Sequence, residues 1–472
     1  MEFDLSCPSI TFTVKTFWTR FASIVVIATS LNAQFLVLGQ TFLSDLPVPD
    51  GIVYSVKYDA GAQVVYIGGA FTHVDGQPRN HLASIDVLNG TLTSWNPNVN
   101  GIVYAMQWSS DTLYVGGEFG VVGTTARNNL AAFALSSGAL TSWNPSTNGT
   151  VRTIDLASNT AYVGGEFTSI GTTPVPHVGG IGTQGTGAVT SCIPSDCDAQ
   201  VRSLRVHGAV FWMGGDFGQV GGSTRAHLAA LNSSSCGTTS WNPSADGQVN
   251  FVSEGSGTDV HVAGSFQNVG GQFRNGVAAI NKNTGNATIW DANCDGEGRC
   301  LAANSWVLFV GGQFDHLGGQ PRNGLGAVRL SDGGDVGWDP ELENGDNPVI
   351  VNSLSTRGIG VDYVFAGGDF QTVGGTLHPY FAAWSGMFTN LAESNVLPVL
   401  NLYPNPVDDI LNMDGDLGNA RALVIQNVLG ERVFSVPVSH AIDLSFLSPG
   451  AYFITLLDDE GVPQRRASLI RR

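Results

Sequence analysis

The stretch Thr112-Leu113-Tyr114-Val115-Gly116-Gly117-Glu118-Phe119 decides the fold. A short β-prone run enters a double glycine and closes on a phenylalanine. The same signature returns at Phe71, Phe119, Phe167, Phe217, Phe266, Phe314 and Phe370, spaced 48, 48, 50, 49, 48 and 56 residues apart. The fifth copy is worn to Ala263-Gly264-Ser265-Phe266. A fixed period of this length marks stacked supersecondary units. Each unit holds four short runs. Val64-Val65-Tyr66-Ile67 precedes one pair of glycines, and Leu82-Ala83-Ser84-Ile85 follows the Gly-rich turn Asp75-Gly76. Thr93-Ser94-Trp95-Asn96-Pro97 recurs at 141–145 and 239–243, with variants at Trp290-Asp291 and Trp338-Asp339-Pro340, and Gly101-Ile102-Val103-Tyr104 opens the next unit.

Four β-runs per unit without a helical period predict the four-stranded blade of a propeller, and seven copies predict an all-β, seven-bladed β-propeller over 34–390. Thr41-Phe42-Leu43-Ser44-Asp45-Leu46-Pro47 precedes Gly51-Ile52-Val53-Tyr54 at the offset that Thr91–Pro97 has to Gly101-Ile102-Val103-Tyr104, whereas no such strand follows Trp384. Residues 41–47 are therefore expected to complete the last blade beside 348–385, removing an open edge. The repeats resemble the Gly-Gly-x-Phe propeller units of secreted bacterial proteins known as delta-60 repeats, a resemblance that covers roughly residues 41–390 and speaks to fold more than to chemistry.

The recurrent residues have structural and functional readings. The double glycine is read as a place where a strand passes close to the central channel, with a positive φ; a phosphate cradle would need a helix N-terminus behind it. Recurrent Phe and Trp read as core between blades, with a sugar-stacking surface as the rival. Arg79, Arg127, Arg225, Arg274 and Arg322 share one repeat position, and Glu118, Glu166, Asp216 and Asp369 share another. Structural ion pairs or stacked arginines are the plain reading, and a charged ring at the channel entrance the sharper one. Asp291-Ala292-Asn293-Cys294-Asp295-Gly296 fits the opening of a calcium loop, which makes Asp291, Asn293 and Asp295 the candidate ligands and calcium the one candidate cofactor. The twelfth loop position is Ala302, and the repeat equivalents Asn96–Gly101 and Asn242–Gly247 also suit an inter-blade turn. No nucleophile elbow or zinc-protease motif occurs; His73, His316 and His378 are expected at the surface.

The 472 residues carry 21 Lys+Arg against 39 Asp+Glu, a net charge of −18, which disfavours nucleic acid and anionic membrane surfaces as partners. Hydrophobic residues make up 43%, enough to exclude disorder. Lys15 and Arg20 precede the apolar run Phe21–Ala28 and then Ser30-Leu31-Asn32-Ala33, the pattern of a signal peptide over 1–33 cleaved between Ala33 and Gln34. No other run approaches membrane-spanning length, so no transmembrane segment is expected in the mature chain. Cys7 leaves with the signal. Cys192 and Cys197, and Cys294 and Cys300, lie close enough for local disulfides in an oxidising compartment, leaving Cys236 odd. A zinc site lacks the matching histidine spacing.

After a linker at 391–397 the pattern changes to Gly/Pro-punctuated strands over 398–472, a small β-sandwich. Its landmarks are Tyr403-Pro404-Asn405-Pro406, Gly430, and Leu447-Ser448-Pro449-Gly450-Ala451-Tyr452. In order, they resemble the type A C-terminal sorting domain of the type IX secretion system of Gram-negative bacteria. That resemblance implies type IX machinery as a partner and a secreted or outer-membrane cell-surface location. The reading is a non-catalytic binding or adhesion scaffold for a glycan or surface protein; the alternative is an extracellular propeller enzyme, a glycan or peptide hydrolase or lyase.

Overall fold

The computed structural model describes residues 40–472 except 193, 195, 256, 357–361, 387–400, 415–416, 418–419, 428–431 and 459–462. The expected signal peptide with its Ala33/Gln34 junction, the linker 391–397 and Gly430 lie outside the described residues. Those described divide into two compact units, 40–386 and 401–472, built from strands with no helix among them.

In the first unit, seven antiparallel sheets begin on the strands Val53–Asp59, Ile102–Ser109, Val151–Ala157, Val201–His207, Val249–Glu254, Glu297–Ala303 and Ile350–Thr356. These innermost strands neighbour one another in order, and Val53–Asp59 also meets Ile350–Thr356, so the ring closes. The inner strands are tied across blades by side chains. Val56 N donates to Ser353 Oγ at 3.0 Å, Leu204 N to Thr153 Oγ1 at 3.2 Å and Val252 N to Ser203 Oγ at 3.0 Å. Thr41–Phe42 pairs antiparallel with Phe381–Gly386, placing Phe42 opposite Trp384. The chain's first described strand thus adds to its last sheet and completes it as the fourth, outermost strand.

The double glycine has a different cause from the one its spacing suggested. Neither glycine of a pair has a positive φ; both lie in the second strand of a sheet. The inner strand bulges by one residue opposite the pair in every sheet: between Val103 and Ala105, between Val151 and Thr153, and at the equivalent points elsewhere. The bulge drives the carbonyl of Ile102 onto Gly117, where a Cβ would collide with it. The first glycine faces the next blade: a Cβ on Gly116 would stand 2.6 Å from Val151 Cγ1. Ala263 is tolerated in the worn copy because the facing position is Gly298, where the other blades have valine.

Burial supplies the rest. Phe71, Phe167, Phe217, Phe266 and Phe370 of the signature are fully buried, and Trp143, Trp241, Trp290 and Trp338 nearly so, between blades and not at a surface that could stack a sugar. At roughly 25 cal/mol per Å2 of apolar area, each such aromatic contributes on the order of 2–3 kcal/mol. In the second unit, sheets of three strands (Asn401–Tyr403, Ile410–Asp414, Ala441–Asp443) and four strands (Arg432–Pro437, Ala422–Asn427, Gly450–Leu457, Pro463–Arg471) share one core that includes Leu411, Leu423, Ile425, Ile442, Ile454 and Leu469.

Candidate functional site

The repeated bulge determines what faces the axis. One extra residue per inner strand is left out of the ladder and re-aimed; these are Tyr54, Tyr104, Arg152, Arg202, Asn250, Arg299 and Asn352, and all seven line a central cavity of about 720 Å3. Scaffold positions repeat, but this ring does not: two tyrosines, three arginines and two asparagines occupy it.

The ring is pre-organised. Arg152 donates from Nε at 2.9 Å and Nη2 at 2.6 Å to Glu166 Oε1, while its guanidinium lies 4.1 Å from the centre of the Tyr104 ring. Tyr54 and Tyr104 stand 5.0 Å apart, centre to centre. Arg202 grips Asp216 in a fork, at 2.9 and 3.1 Å, and Gln200 donates to the same carboxylate. Asn250 donates to Glu297 at 2.7 Å, and Arg299 joins Glu297 at 2.9 Å to Asn352 at 3.2 Å. Charge-assisted, forked bonds of this kind hold planar groups in fixed orientation. Burial alone would raise the Asp216 carboxyl, but Arg202 and Gln200 hold it below the ordinary aspartate value. Three residues along the inner strands lies a second layer with Lys57, Gln107, Asp155 and Arg205. Asp155 is buried and accepts from Gln107 Nε2 at 3.0 Å and Val206 N at 2.7 Å.

The arginines singled out by repetition are elsewhere. Arg79, Arg127 and Arg225 each donate from Nη2 to the carbonyl of the threonine fourteen residues on, at 2.7, 2.8 and 2.7 Å, and Arg274 does the same to Thr288. Arg322 instead pairs with Asp335. They staple the outer segment of each blade and do not line the channel. Of the repeated acids, Glu166 and Asp216 pair with inner-strand arginines, not with the repeated ones.

The candidate calcium ligands Asp291 and Asp295 each accept backbone amides of the protein. Asp291 Oδ1 accepts the Asn293 amide, whereas Asp295 Oδ1 accepts the amides of Asp315 and His316 and its Oδ2 lies 2.7 Å from His316 Nδ1. Asn100, Asn148, Asp198 and Asp246 cap the same turn in their blades. The Asp295 position is an inter-blade latch whose Oδ1 accepts two amides, a role that an asparagine serves equally at Asn100 and Asn148. Among the described residues no group of three His, Cys, Asp or Glu is placed to hold a metal ion. His73 is exposed beside Asp50, but His378 is buried, with Nδ1 2.6 Å from Phe381 O, and burial lowers its pKa.

The cysteines also pair differently from the local reading. Cys192 is bonded to Cys236, with Cα atoms 5.1 Å apart, and Cys197, Cys294 and Cys300 are free and buried. Cys197 and Cys294 occupy the repeat position of Val99 and Ala245, where a small apolar side chain fills the interface; burial pushes both thiols up to about 12. Cys300 faces the next blade, its Sγ 3.5 Å from Val351 O. Cys192 stands where other blades have Trp, and Cys236 where they have Gly. Trp95 covers Gly138 and Trp143 covers Gly187 so closely that a Cβ would come within 2.6 and 2.7 Å of the indole. Gly90, Gly138, Gly187, Gly285 and Gly333 all have positive φ, and Cys236 keeps it at 53°. The blade-to-blade clasp has exchanged a Trp–Gly contact for a covalent bond.

In the second unit the sorting landmarks meet on the last strand. Asn405 Oδ1 accepts the Ile470 amide at 2.9 Å, Gly450 pairs with Arg471, and Tyr452 Oη donates to Ser448 O at 2.8 Å. Tyr403, Pro404 and Pro449 are exposed and Pro406 is half-buried. Residues 401–468 match the family described as secretion system C-terminal sorting domain. The chain is a β-propeller carrying a C-terminal sorting domain. Within the propeller, residues 43–173 match the Rax2 C-terminal beta propeller domain. No curated protein matches the chain. Similar solved structures include the computationally designed Ika8 protein, at 10% identity over 72% of this chain and 98% of that one with a TM-score of 0.45. The WD40 beta propeller domain of Doa1 has 9% identity over 74% and 97%, with a TM-score of 0.47. The propeller assignment rests on the closed ring of sheets. Among the described residues no helix is long and apolar enough to cross a membrane.

Proposed function

We propose that this propeller is a non-catalytic binding module, exported by the type IX secretion system to the cell surface or medium of a Gram-negative bacterium, with its ligand at the channel end ringed by Tyr54, Tyr104 and the arginine–carboxylate pairs. The repeats fit the delta-60 type, with seven blades, and the signal peptide at 1–33 supplies the first export step. The observation that carries the reading is the state of the ring carboxylates. A glycosidase acid must keep its proton near neutral pH, which takes a raised pKa. Here Glu166, Asp216 and Glu297 are each fixed to a guanidinium, and Asp216 is pushed the opposite way. Paired planar groups beside two tyrosines instead suit sugar hydroxyls and ring faces.

The test is a glycan array probed with the full mature chain, run beside reducing-end release from the same polysaccharides. Reproducible binding without release supports the reading. Release that follows the chain through purification and is abolished by Glu166→Gln, Asp216→Asn or Glu297→Gln would replace it with the enzyme.

A further inference from the structure

The channel inverts the charge of the molecule around it. The chain as a whole has 39 Asp+Glu to 21 Lys+Arg, yet Lys57, Arg152, Arg202, Arg205 and Arg299 line the cavity against only Asp155 and Glu297. Glu166 and Asp216 neutralise two of these arginines and Glu297 a third. The excess positive charge therefore lies in the second layer. Arg205 is 3.9 Å from Asp155, whose oxygens are already engaged by Gln107 and the Val206 amide. Among the described residues Lys57 has neither an ion-pair nor a hydrogen-bond partner, although it faces the cavity. A half-buried ammonium without a bonded counter-ion is costly. Burial pulls the Lys57 pKa down, and Arg205 adds to this while Asp155 opposes it.

We propose that the channel seats the oxyanion of an acidic glycan, a uronate carboxylate or a sulfate ester, against Lys57 and Arg205, with the adjoining sugar against Tyr54 and Tyr104. An entering oxyanion supplies the counter-charge that Lys57 lacks. Three strand residues separate the tyrosine layer from the lysine layer, roughly 10 Å, which is the reach of two linked sugar rings. A cavity of about 720 Å3 has room for them and sits within the usual range for ligand sites. The excess of basic over acidic side chains along the cavity attracts an entering anion. This inference rests on the channel-end binding reading and adds the ligand class.

The experiment compares matched uronate-bearing, sulfate-bearing and neutral oligosaccharides on one array, with the full wild-type chain, Lys57→Gln and Lys57→Arg. Expected is a tenfold or greater preference for one acidic set over its neutral counterpart, identifying the source of the oxyanion. Lys57→Gln should abolish that preference while neutral binding stays, and Lys57→Arg should retain it. If Lys57→Gln fails to fold, raising salt on the wild type must erase the preference instead. Equal binding of acidic and neutral sets, or a preference untouched by Lys57→Gln, overturns the inference and leaves the binding module standing. No binding by any set removes both.

Discussion

Replacing Cys192 and Cys236 together by Trp and Gly should rebuild the clasp found in the neighbouring blades. The two cysteines are 44 residues apart. For a closed loop of that length, the chain-entropy relation gives about 4 kcal/mol lost when the bond is removed, at the upper end of what disulfides deliver. Unfolding entropy near 2.1 cal/mol/K per residue over roughly 350 propeller residues converts this into a fall of about 5 °C in melting temperature for Cys192→Ala/Cys236→Ala. The Cys192→Trp/Cys236→Gly chain regains on the order of 2–3 kcal/mol from indole burial and about 1 kcal/mol from an indole–carbonyl bond of the kind Trp143 Nε1 donates to Gly182 O and Trp241 Nε1 to Asn281 O. Glycine also accepts the left-handed backbone held by Cys236, a relief of roughly 1 kcal/mol. That variant should melt within about 2 °C of wild type, and reductant should lower the wild type but not the variant. Scanning calorimetry with and without reductant reads both effects. If the Trp/Gly chain melts as low as the Ala/Ala chain, the equivalence of the two clasps is wrong. Thiol titration of the denatured, unreduced mature chain offers an independent count: the bond described here leaves Cys197, Cys294 and Cys300 free, whereas two local pairs would leave only Cys236.

Other expectations follow from the same geometry. Gly116→Ala should destabilise the propeller by about 1–3 kcal/mol, read by denaturant unfolding, because the new methyl meets Val151; adding Val151→Gly, the solution used at Ala263 and Gly298, should recover part of the loss. Millimolar calcium or EDTA should leave the melting temperature unchanged, since Asp291 Oδ1 and Asp295 Oδ1 already accept protein amides; a calcium-dependent rise would make the loop a metal site. Burial tends to raise the Asp50 pKa, but hydrogen bonds from His73 and Thr72 outweigh it and hold it at about 2, against 3.8 for a free aspartate. Because the folded value is the lower one, this group's stabilisation is complete above 3.8 and fades as pH falls toward about 2. Asp50→Asn, the residue already used at Asn100 and Asn148, should weaken the acid dependence of melting over that window while preserving the fold at neutral pH.

Much of the architecture is legible because propeller repetition writes the same physical requirement several times. The Gly-Gly-x-Phe copies and the wandering Thr41–Pro47 strand both report inter-strand geometry, which is local and periodic. The reason for the glycines was not legible: their need arises from a bulge in the partner strand and a valine in the next blade, neither of which the motif itself contains. Compensated exchanges were readable in principle. Cys236 falls five residues before Trp241, at the glycine position of every neighbouring copy, and Cys192 falls at the tryptophan position, so two departures from one alignment point to one contact. Proximity in sequence favoured Cys197 instead, although repeat alignment places it with Val99 and Ala245 in the core. The candidate site escaped for the opposite reason. Repetition drew attention to Arg79 and its equivalents, which are scaffold, while the channel ring of Tyr54, Tyr104, Arg152, Arg202, Asn250, Arg299 and Asn352 varies from blade to blade. Its signal lies in the residue after the valine that recurs in six of the seven inner strands, which is Tyr, Arg or Asn in every copy.

The most direct test of the binding account is titration calorimetry of the strongest array ligand against the full mature chain and against Tyr54→Ala/Tyr104→Ala. Both tyrosines line the cavity without supporting the blade cores, so the variant should keep its melting temperature and lose affinity at least tenfold, corresponding to about 1.4 kcal/mol. Unchanged affinity in a folded variant would place the ligand away from the channel and contradict the account.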